Sequence, residues 1–268
     1  MKLNAVKKIL FIVAIGLLAA SCNDEENNPT PRAPDIIPLK MEDVDGSREL
    51  TYDASGKIGA LSITTKFVNG TEMKSIQTLS YDPSGKLIES TTDTGWRMVY
   101  TYDNQGRVGQ TDEYVQGSWS QRHIYTYNSK GFLLESITYQ DIPEEGGLIP
   151  VSKEVYTYDG SGNVTLQLLY YYTAFGAEAK ILTRFTFSDY DNKINTEEYF
   201  DINPFNPAVK FRKNNPGKMV IQNAQGNISS VETYEYLYNT QGYATQKTSY
   251  VTMHNGNSGS YTTHYSFK

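Results

Sequence analysis

The chain has 268 residues, of which 38% are hydrophobic and 20% are charged, so it holds enough apolar material for a folded core and wholesale disorder is excluded. A formal net charge of -6 excludes the basic footprint of a general nucleic-acid-binding protein, and the single cysteine excludes an internal disulfide framework and a Cys-x-x-Cys metal site. Tyrosine supplies 22 of the aromatic residues, a composition that favours β-sheet over a helix bundle.

The N-terminal segment has the pattern of a targeting signal. Its charged start contains Lys2, Lys7 and Lys8. An apolar run over 9–20 follows, which is too short to span a bilayer, and small residues then precede Cys22. This arrangement resembles a bacterial lipoprotein signal, which implies removal of 1–21 and diacylation of the Cys22 thiol. An ordinary secretory signal with a chance cysteine is the alternative.

The residues after Cys22 predict an extended connection and an address. Asp24, Glu25 and Glu26 form an acidic cluster that resembles the surface-export signal of Bacteroidetes lipoproteins, with a plain solvated linker as the alternative. The stretch is rich in Asn, Pro and Glu, so we expect 22–46 to be the lipidated cysteine and a flexible tether. The predicted location is the outer membrane, at the cell surface, with the periplasmic face as the alternative.

Residues 47–268 are predicted to form one β domain built from a repeated unit. Clear copies place Tyr, then Asp or Asn, then two further residues and Gly at the turns 53–56, 82–85, 103–106, 128–131, 159–162 and 239–242. Degenerate copies fill the gap at 189–192, where Asn192 replaces the glycine, and at 214–217. We expect all these turns to lie on one edge of the sheet, which we call the Asp-turn rim.

The unit predicts a tight β-hairpin with a G1 bulge. Asp or Asn opens the turn and caps its backbone, and the last residue needs a positive φ, which Gly supplies and Asn192 tolerates. We expect Tyr52 to face Ile58 across the first hairpin. After Leu87, simple alternation predicts that the same inner face continues with Glu89 and Thr91.

Between these turns the chain has to reverse direction on the opposite edge, which we call the return rim. The longest returns are predicted at 140–150 and 201–207. The result is an all-β fold, a single long antiparallel up-and-down meander of about 16–17 strands. Because its Tyr/Leu face has to leave water, the meander is expected to be barrel-like, either closed or flattened and open. The apolar stretch of about two residues per strand argues against a membrane-spanning barrel.

The repeat also carries a resemblance. The stretch from Tyr100 to Val108, Tyr-Thr-Tyr-Asp-Asn-Gln-Gly-Arg-Val, resembles the YD repeat of Rhs-type proteins. With its lipoprotein start, the chain is similar to an uncharacterised family of Bacteroidetes lipoproteins with YD-like hairpins. That resemblance implies a porin-like, barrel-type fold and implies no activity.

The sequence offers little chemistry. It has no nucleophile elbow, zinc-protease, phosphate-loop or dinucleotide motif. Its histidines, His123, His254 and His264, lack metal-ligand spacing. We therefore expect a protein that is not an enzyme, without catalytic residues, metal or cofactor.

Aromatic side chains near the return rim are the remaining candidates for a site. Trp96, Trp119, Tyr139 and Phe205 are predicted to bind a ligand there, with core packing as the alternative. The predicted function is a non-catalytic module that binds glycan or another extracellular ligand. The alternative is a structural or protein-interaction component of the cell envelope. Expected partners are the membrane, through Cys22, and a glycan or an envelope protein, but no nucleic acid.

Overall fold

The computed structural model describes residues 37–143, 147–173, 176–197, 200 and 212–268. They form sixteen strands: β1 (Pro38–Asp43), β2 (Gly46–Tyr52), β3 (Ile58–Lys66), β4 (Glu72–Tyr81), β5 (Leu87–Thr92), β6 (Trp96–Tyr102), β7 (Val108–Val115), β8 (Ser118–Tyr127), β9 (Leu133–Ile142), β10 (Gly147–Tyr158), β11 (Val164–Tyr171), β12 (Lys180–Ser188), β13 (Lys218–Asn223), β14 (Ile228–Tyr238), β15 (Ala244–Met253) and β16 (Ser258–Phe267).

The strands close into a barrel. Each strand pairs antiparallel with the next along the chain, and β1 pairs with β16 to complete the ring. The predicted meander is confirmed, and its barrel is closed. Its first strand begins at Pro38, inside the segment predicted as tether, because Met41 packs into the core beside Leu50 and Tyr265.

The six clear repeat copies form the predicted turns. Their glycines have φ between 79° and 89°, and a register shift marks the Tyr that precedes each turn. In the third copy, Asp103 Oδ1 accepts hydrogen bonds from the backbone N–H of Gln105 and Arg107, both at 2.9 Å. Tyr52 pairs with Ile58 as predicted.

The bulge at each turn corrects the predicted inner face of the following strand. Leu79 of β4 pairs with Ser90, and Ser80 pairs with Glu89. Ser90 is fully buried, whereas Glu89 forms an ion pair with Arg97 on the outer face. The expected inner positions of Glu89 and Thr91 are therefore wrong, because the extra residue of the bulge reverses the alternation.

The two degenerate copies are the ends of a single long connection. Ser188 pairs with Lys218, so the chain leaves β12 and enters β13 at the same point of the Asp-turn rim. Asp189, and not Asn192, has a positive φ, of 58°. Gly217 lies outside the left-handed region, and its small size is needed because a Cβ there would lie 2.7 Å from the Asp189 carbonyl oxygen. The predicted turns at 189–192 and 214–217 are wrong.

Both long returns also differ from expectation. β9 continues to Ile142 and β10 begins at Gly147, so the return predicted at 140–150 is much shorter. The return predicted at 201–207 lies outside the described residues; the strands on either side of it, β12 and β13, meet at the Asp-turn rim.

The core fills the half of the barrel next to the Asp-turn rim. One cluster gathers buried side chains from β6 to β13, including Tyr100, Tyr125, Tyr156 and Phe185. A second gathers Leu50, Leu61, Ala244 and Tyr265 around Phe200, which belongs to the long connection and is 1% exposed. Among the described residues, no helix is long and apolar enough to cross a bilayer.

Candidate functional site

Tyrosine side chains join neighbouring hairpins along the Asp-turn rim, and we call this set the tyrosine ring. Hydroxyls of successive hairpins donate to the backbone of the preceding hairpin: Tyr52 to Pro38 O, Tyr81 to Ile58 O, Tyr102 to Leu87 O, Tyr127 to Val108 O, Tyr190 to Val164 O and Tyr236 to Pro216 O, at 2.6–2.9 Å. Burial raises the pKa of Tyr81 to about 12, so this hydroxyl keeps its proton at neutral pH and can donate. Most hairpins are thereby bonded to their neighbours; the exceptions are Tyr158, whose hydroxyl has no partner among the described residues, and Tyr238, which donates to Asp191.

In the first four clear copies, the residue after the turn glycine covers the ring of the next tyrosine. Lys57, Lys86 and Arg107 lie 5.2, 4.9 and 4.6 Å from the ring centroids of Tyr81, Tyr102 and Tyr127. Where this residue is aromatic, a ring contact takes the place of the cation: Phe132 stacks on Tyr158 at 4.8 Å. These contacts hold neighbouring hairpins together at one end of the barrel.

The long connection adds further hydrogen bonds at the same end of the barrel. Asp191 accepts hydrogen bonds from the backbone and side chain of Asn215, and Asn163, which directly precedes β11, accepts one from Asn214 N at 2.9 Å. Deeper in the barrel, Glu197 contacts Lys247 Nζ, and the Tyr265 hydroxyl donates to Glu197 at 2.9 Å. Glu197 and Phe200 have helical backbone.

A second polar group lies on the inner face towards the return rim. Glu113 on β7 is its centre: Trp96 Nε1 donates to Oε1 at 2.6 Å, Gln121 Nε2 donates to Oε2 at 2.6 Å, and His123 Nε2 lies 3.5 Å from Oε2. The other imidazole nitrogen, Nδ1, lies 3.1 Å from Thr138 Oγ1. We call these five residues the inner polar cluster. The cluster keeps some contact with solvent, since the side chains of Glu113 and His123 are 14% and 15% exposed.

The pKa values of Glu113 and Glu154, two carboxyl groups on this side of the barrel, are shifted in opposite directions. Burial alone would raise the pKa of Glu113, but the hydrogen bonds from His123, Gln121 and Trp96 hold it below its ordinary value. Glu154 lies one step deeper and is partly buried, and burial raises its pKa. Tyr156 and Gln167 donate to Glu154 and oppose that effect only in part. The inner polar cluster is therefore anionic, and the buried layer beneath it favours a neutral acid.

The structure separates the residues predicted to form one site. Trp96 packs against the inner core and bonds to Glu113. Trp119 donates to Asp112, and consecutive strand residues point to opposite faces, so this indole lies on the outer wall. Tyr139 pairs with Arg122, which also bonds to Asp112, so Tyr139 lies on the outer wall too. Phe205 and Cys22 lie outside the described residues.

The outer wall carries charged side chains in the middle of its strands. Ion pairs join Arg97 to Glu89 at 2.6 Å, Arg122 to Asp112 at 2.8 Å and Lys153 to Glu135 at 3.4 Å. A lipid-facing barrel presents a continuous apolar band at this level. Across the described ranges, no group of three His, Cys, Asp or Glu side chains is placed to hold a metal ion.

Comparison with known proteins shows the fold alone. A porin-like protein from Bacteroides uniformis superposes with a TM-score of 0.61 at 12% identity, covering 86% of this chain and 96% of that one. A porin-like protein from Bacteroides vulgatus gives 0.37 at 14% identity over 86% and 98% of the two chains. A protein of unknown function from Bacteroides fragilis gives 0.34 at 15% identity over 52% and 87%. No family model and no curated protein sequence matches the chain.

Sequence reasoning missed the inner polar cluster except for Trp96. Glu113, Gln121, His123 and Thr138 lie on three successive strands, and register alone brings them together. The register that each turn sets was the available signal. Tyr102 lies opposite Val108 and Tyr127 lies opposite Leu133. If the alternation along the strands is continued from these pairs, with one bulge residue allowed in each hairpin, all four residues fall on the inner face.

Proposed function

We propose that the protein is a lipid-anchored component of the bacterial outer membrane whose barrel stands in water and binds a hydroxyl-rich ligand, such as a glycan, on its inner face near the return rim. The observation that carries this proposal is the inner polar cluster, in which a carboxylate, an imidazole and an indole converge. Carboxylates and imidazole exchange hydrogen bonds with sugar hydroxyls, and an aromatic face packs against the apolar face of a sugar ring.

Two further observations support the proposal. Buried side chains fill the half of the barrel next to the Asp-turn rim, so the polar inner surface near the return rim belongs to a cup rather than to a channel. The ion pairs of the outer wall suit contact with water, which leaves attachment to the membrane to the lipid on Cys22.

The proposed role is binding without catalysis. Both oxygens of Glu113 already accept hydrogen bonds from neighbouring side chains, which suits a fixed acceptor better than a group that transfers a proton. After incubation with the protein, a bound glycan should be recovered unchanged in mass.

The experiment is glycan-array binding with the full chain carrying Cys22→Ala, so that it is free of lipid. Trp96→Ala and Glu113→Gln should each lower binding at least about tenfold, the effect of losing one good polar or aromatic contact. Trp119→Ala is the matched control, because this indole lies on the outer wall, and it should leave binding unchanged. Thermal melting of the same variants separates lost binding from lost structure.

The second candidate is a structural or protein-interaction component of the envelope. The observation that favours it is the long connection, which places Phe200 and Glu197 inside the barrel and so fills part of the interior with the chain itself. Absence of binding across the array, together with a cross-linked envelope protein that Trp119→Ala releases, would favour this second function.

A further inference from the structure

We infer that the barrel stands on the membrane with its Asp-turn rim against the lipid headgroups and its return rim facing away. This inference rests on the lipid anchor of the proposed function and deepens it, because it assigns the surface that meets the membrane and the direction in which the inner polar cluster faces. The partner is a phospholipid leaflet with anionic headgroups.

The first argument is the point at which the chain enters the barrel. Ile37 and Lys268 exchange backbone hydrogen bonds at 3.2 and 2.8 Å, and Pro38 pairs with Phe267 beside the Asp-turn rim. Since β1 runs from this rim towards the return rim, the segment from Cys22 joins the barrel at the Asp-turn rim. Its length allows a reach of at most about 50 Å, at roughly 3.5 Å per residue.

The second argument is the distribution of charge between the two rims. The described residues of the return connections contain no lysine or arginine. These residues are 44–45, 67–71, 93–95, 116–117, 143, 172–173, 176–179, 224–227 and 254–257. Their charged residues, Asp45, Asp93 and Glu178, are all acidic. An anionic leaflet repels this rim.

The Asp-turn rim has a different balance. Its short turns carry Lys57, Lys86, Arg107 and Lys130 against four aspartates. Each of these aspartates is held by its own turn, as Asp53 is by the N–H groups of Ser55 and Lys57. The short turns are neutral overall, and the exposed Lys86 and Lys130 can meet headgroup phosphates, so both tether and charge favour the same orientation.

The test uses two reporter positions at the ends of one strand. Thr240→Cys lies in the turn after β14 on the Asp-turn rim, and Ala224→Cys lies in the connection before β14 on the return rim; both positions are exposed. With the barrel's strand tilt, the eleven residues of β14 separate them by about 25–30 Å along the barrel axis. The reporter is the free thiol, since lipid blocks Cys22.

The lipidated chain is reconstituted in phosphatidylethanolamine–phosphatidylglycerol vesicles that contain acceptor-labelled lipid, and the reporter thiol carries a donor dye. Energy transfer to the bilayer should be at least about twofold higher from position 240 than from position 224, given that separation. Equal or reversed transfer, with the protein floating with the vesicles, overturns the orientation and leaves the anchor intact. A protein that does not float contradicts the anchor and the orientation together. If either variant fails to fold, Gln105→Cys and Asn255→Cys give the same comparison.

Discussion

Each clear repeat copy depends on one side-chain oxygen and one left-handed residue. The oxygen of Asp103, for example, accepts two backbone N–H groups that the tight turn leaves without carbonyl partners, and Gly106 closes the turn at φ 79°. These requirements were predictable from sequence because they are local. The bond from the Tyr102 hydroxyl to Leu87 O was not, since it joins two hairpins and depends on the pairing of β5 with β6.

The glycine requirement predicts a graded response at Gly106. Replacement by Val should lower the free energy of unfolding by about 1–3 kcal/mol, because a β-branched residue is strained at positive φ. Gly106→Asn should cost less, since Asn tolerates the left-handed region. The surroundings are open, the nearest atom to an added Cβ being Lys86 Nζ at 3.8 Å, so crowding contributes little. Urea denaturation measures both values, and equal costs for Val and Asn would remove the backbone argument.

Tyr102 and Tyr158 on the Asp-turn rim give a matched pair of variants, because only one of the two hydroxyls has a hydrogen-bond partner. Tyr102→Phe should cost about 1 kcal/mol, because it leaves the buried Leu87 carbonyl without its donor. Tyr158→Phe should be neutral or stabilising, since the Tyr158 hydroxyl is buried without a hydrogen-bond partner among the described residues. Urea midpoints of the two variants make the comparison, and a loss at Tyr158 as large as at Tyr102 would contradict it.

At the scale of elements, the long connection is the largest departure from the repeat. The two degenerate copies of the unit predicted two turns. Both copies belong to the long connection, whose ends meet at Asp189 and Gly217. The sequence pattern could not show this, because Tyr190 keeps its role in the tyrosine ring while its turn is opened by the insertion. What fixes the insertion is tertiary: the buried ion pair of Glu197 with Lys247.

Breaking the ion pair of Glu197 with Lys247 should cost much more stability than breaking an ion pair on the outer wall. Glu197→Gln should lower stability by about 3 kcal/mol, the lower end for buried pairs, because it leaves the Lys247 ammonium, whose side chain is only 12% exposed, without its counter-charge. The control is Glu135→Gln, which breaks a partly exposed pair with Lys153 at the outer wall and should cost at most about 1 kcal/mol. Denaturant melts of both variants at neutral pH provide the measurement.

The buried carboxyl groups also predict opposite dependences on pH. Burial opposes ionisation of Glu197, but Lys247 and Arg212 hold its folded pKa well below that of the unfolded chain. Its contribution to stability is therefore present above the unfolded pKa, near 4.5, and is lost as pH falls. For Glu154 the folded pKa is raised, so its contribution is present below the unfolded value and is lost as pH rises.

The variants Glu197→Gln and Glu154→Gln test these signs. Relative to the parent, the stability of Glu154→Gln should improve from pH 4 to 7, whereas that of Glu197→Gln should worsen over the same range, the span about the unfolded pKa of a glutamate. Unfolding free energies at several pH values decide the matter, and parallel curves for the two variants would overturn the assignment.

At the scale of the whole molecule, closure of the barrel was predictable because the Tyr/Leu face of the meander had to leave water. The side of the barrel wall on which each candidate aromatic side chain lies was not predictable. Trp119 has the same parity as the inward Gln121, but a register shift opposite Glu113 and Tyr114 adds one residue and turns this indole outward. A single bulge thus divided a site that sequence reasoning had placed together, while Trp96, on a strand without such a bulge, kept its inner position.

Attachment of the molecule to the membrane is expected to depend on one thiol. Cys22→Ala should move the protein from the membrane fraction to the soluble fraction, because the charged pairs on the outer wall interrupt any apolar surface between β5 and β8. Fractionation of cells that express the parent and the variant is the measurement. A variant that stays with the membrane would show that the anchor lies elsewhere. Surface proteolysis of intact cells, with Asp24, Glu25 and Glu26 neutralised, tests the outward location.

The tyrosine ring has a consequence for how such barrels change size. Every bond in it runs from one hairpin to the one before, so the contact is head-to-tail and repeats without a built-in stop. Duplicating one hairpin therefore adds a donor and an acceptor in equal number, and the circle can close again two strands wider. Since barrel diameter grows with strand number, duplication of a segment of about 25 residues would widen the interior in discrete steps while leaving the rim chemistry unchanged.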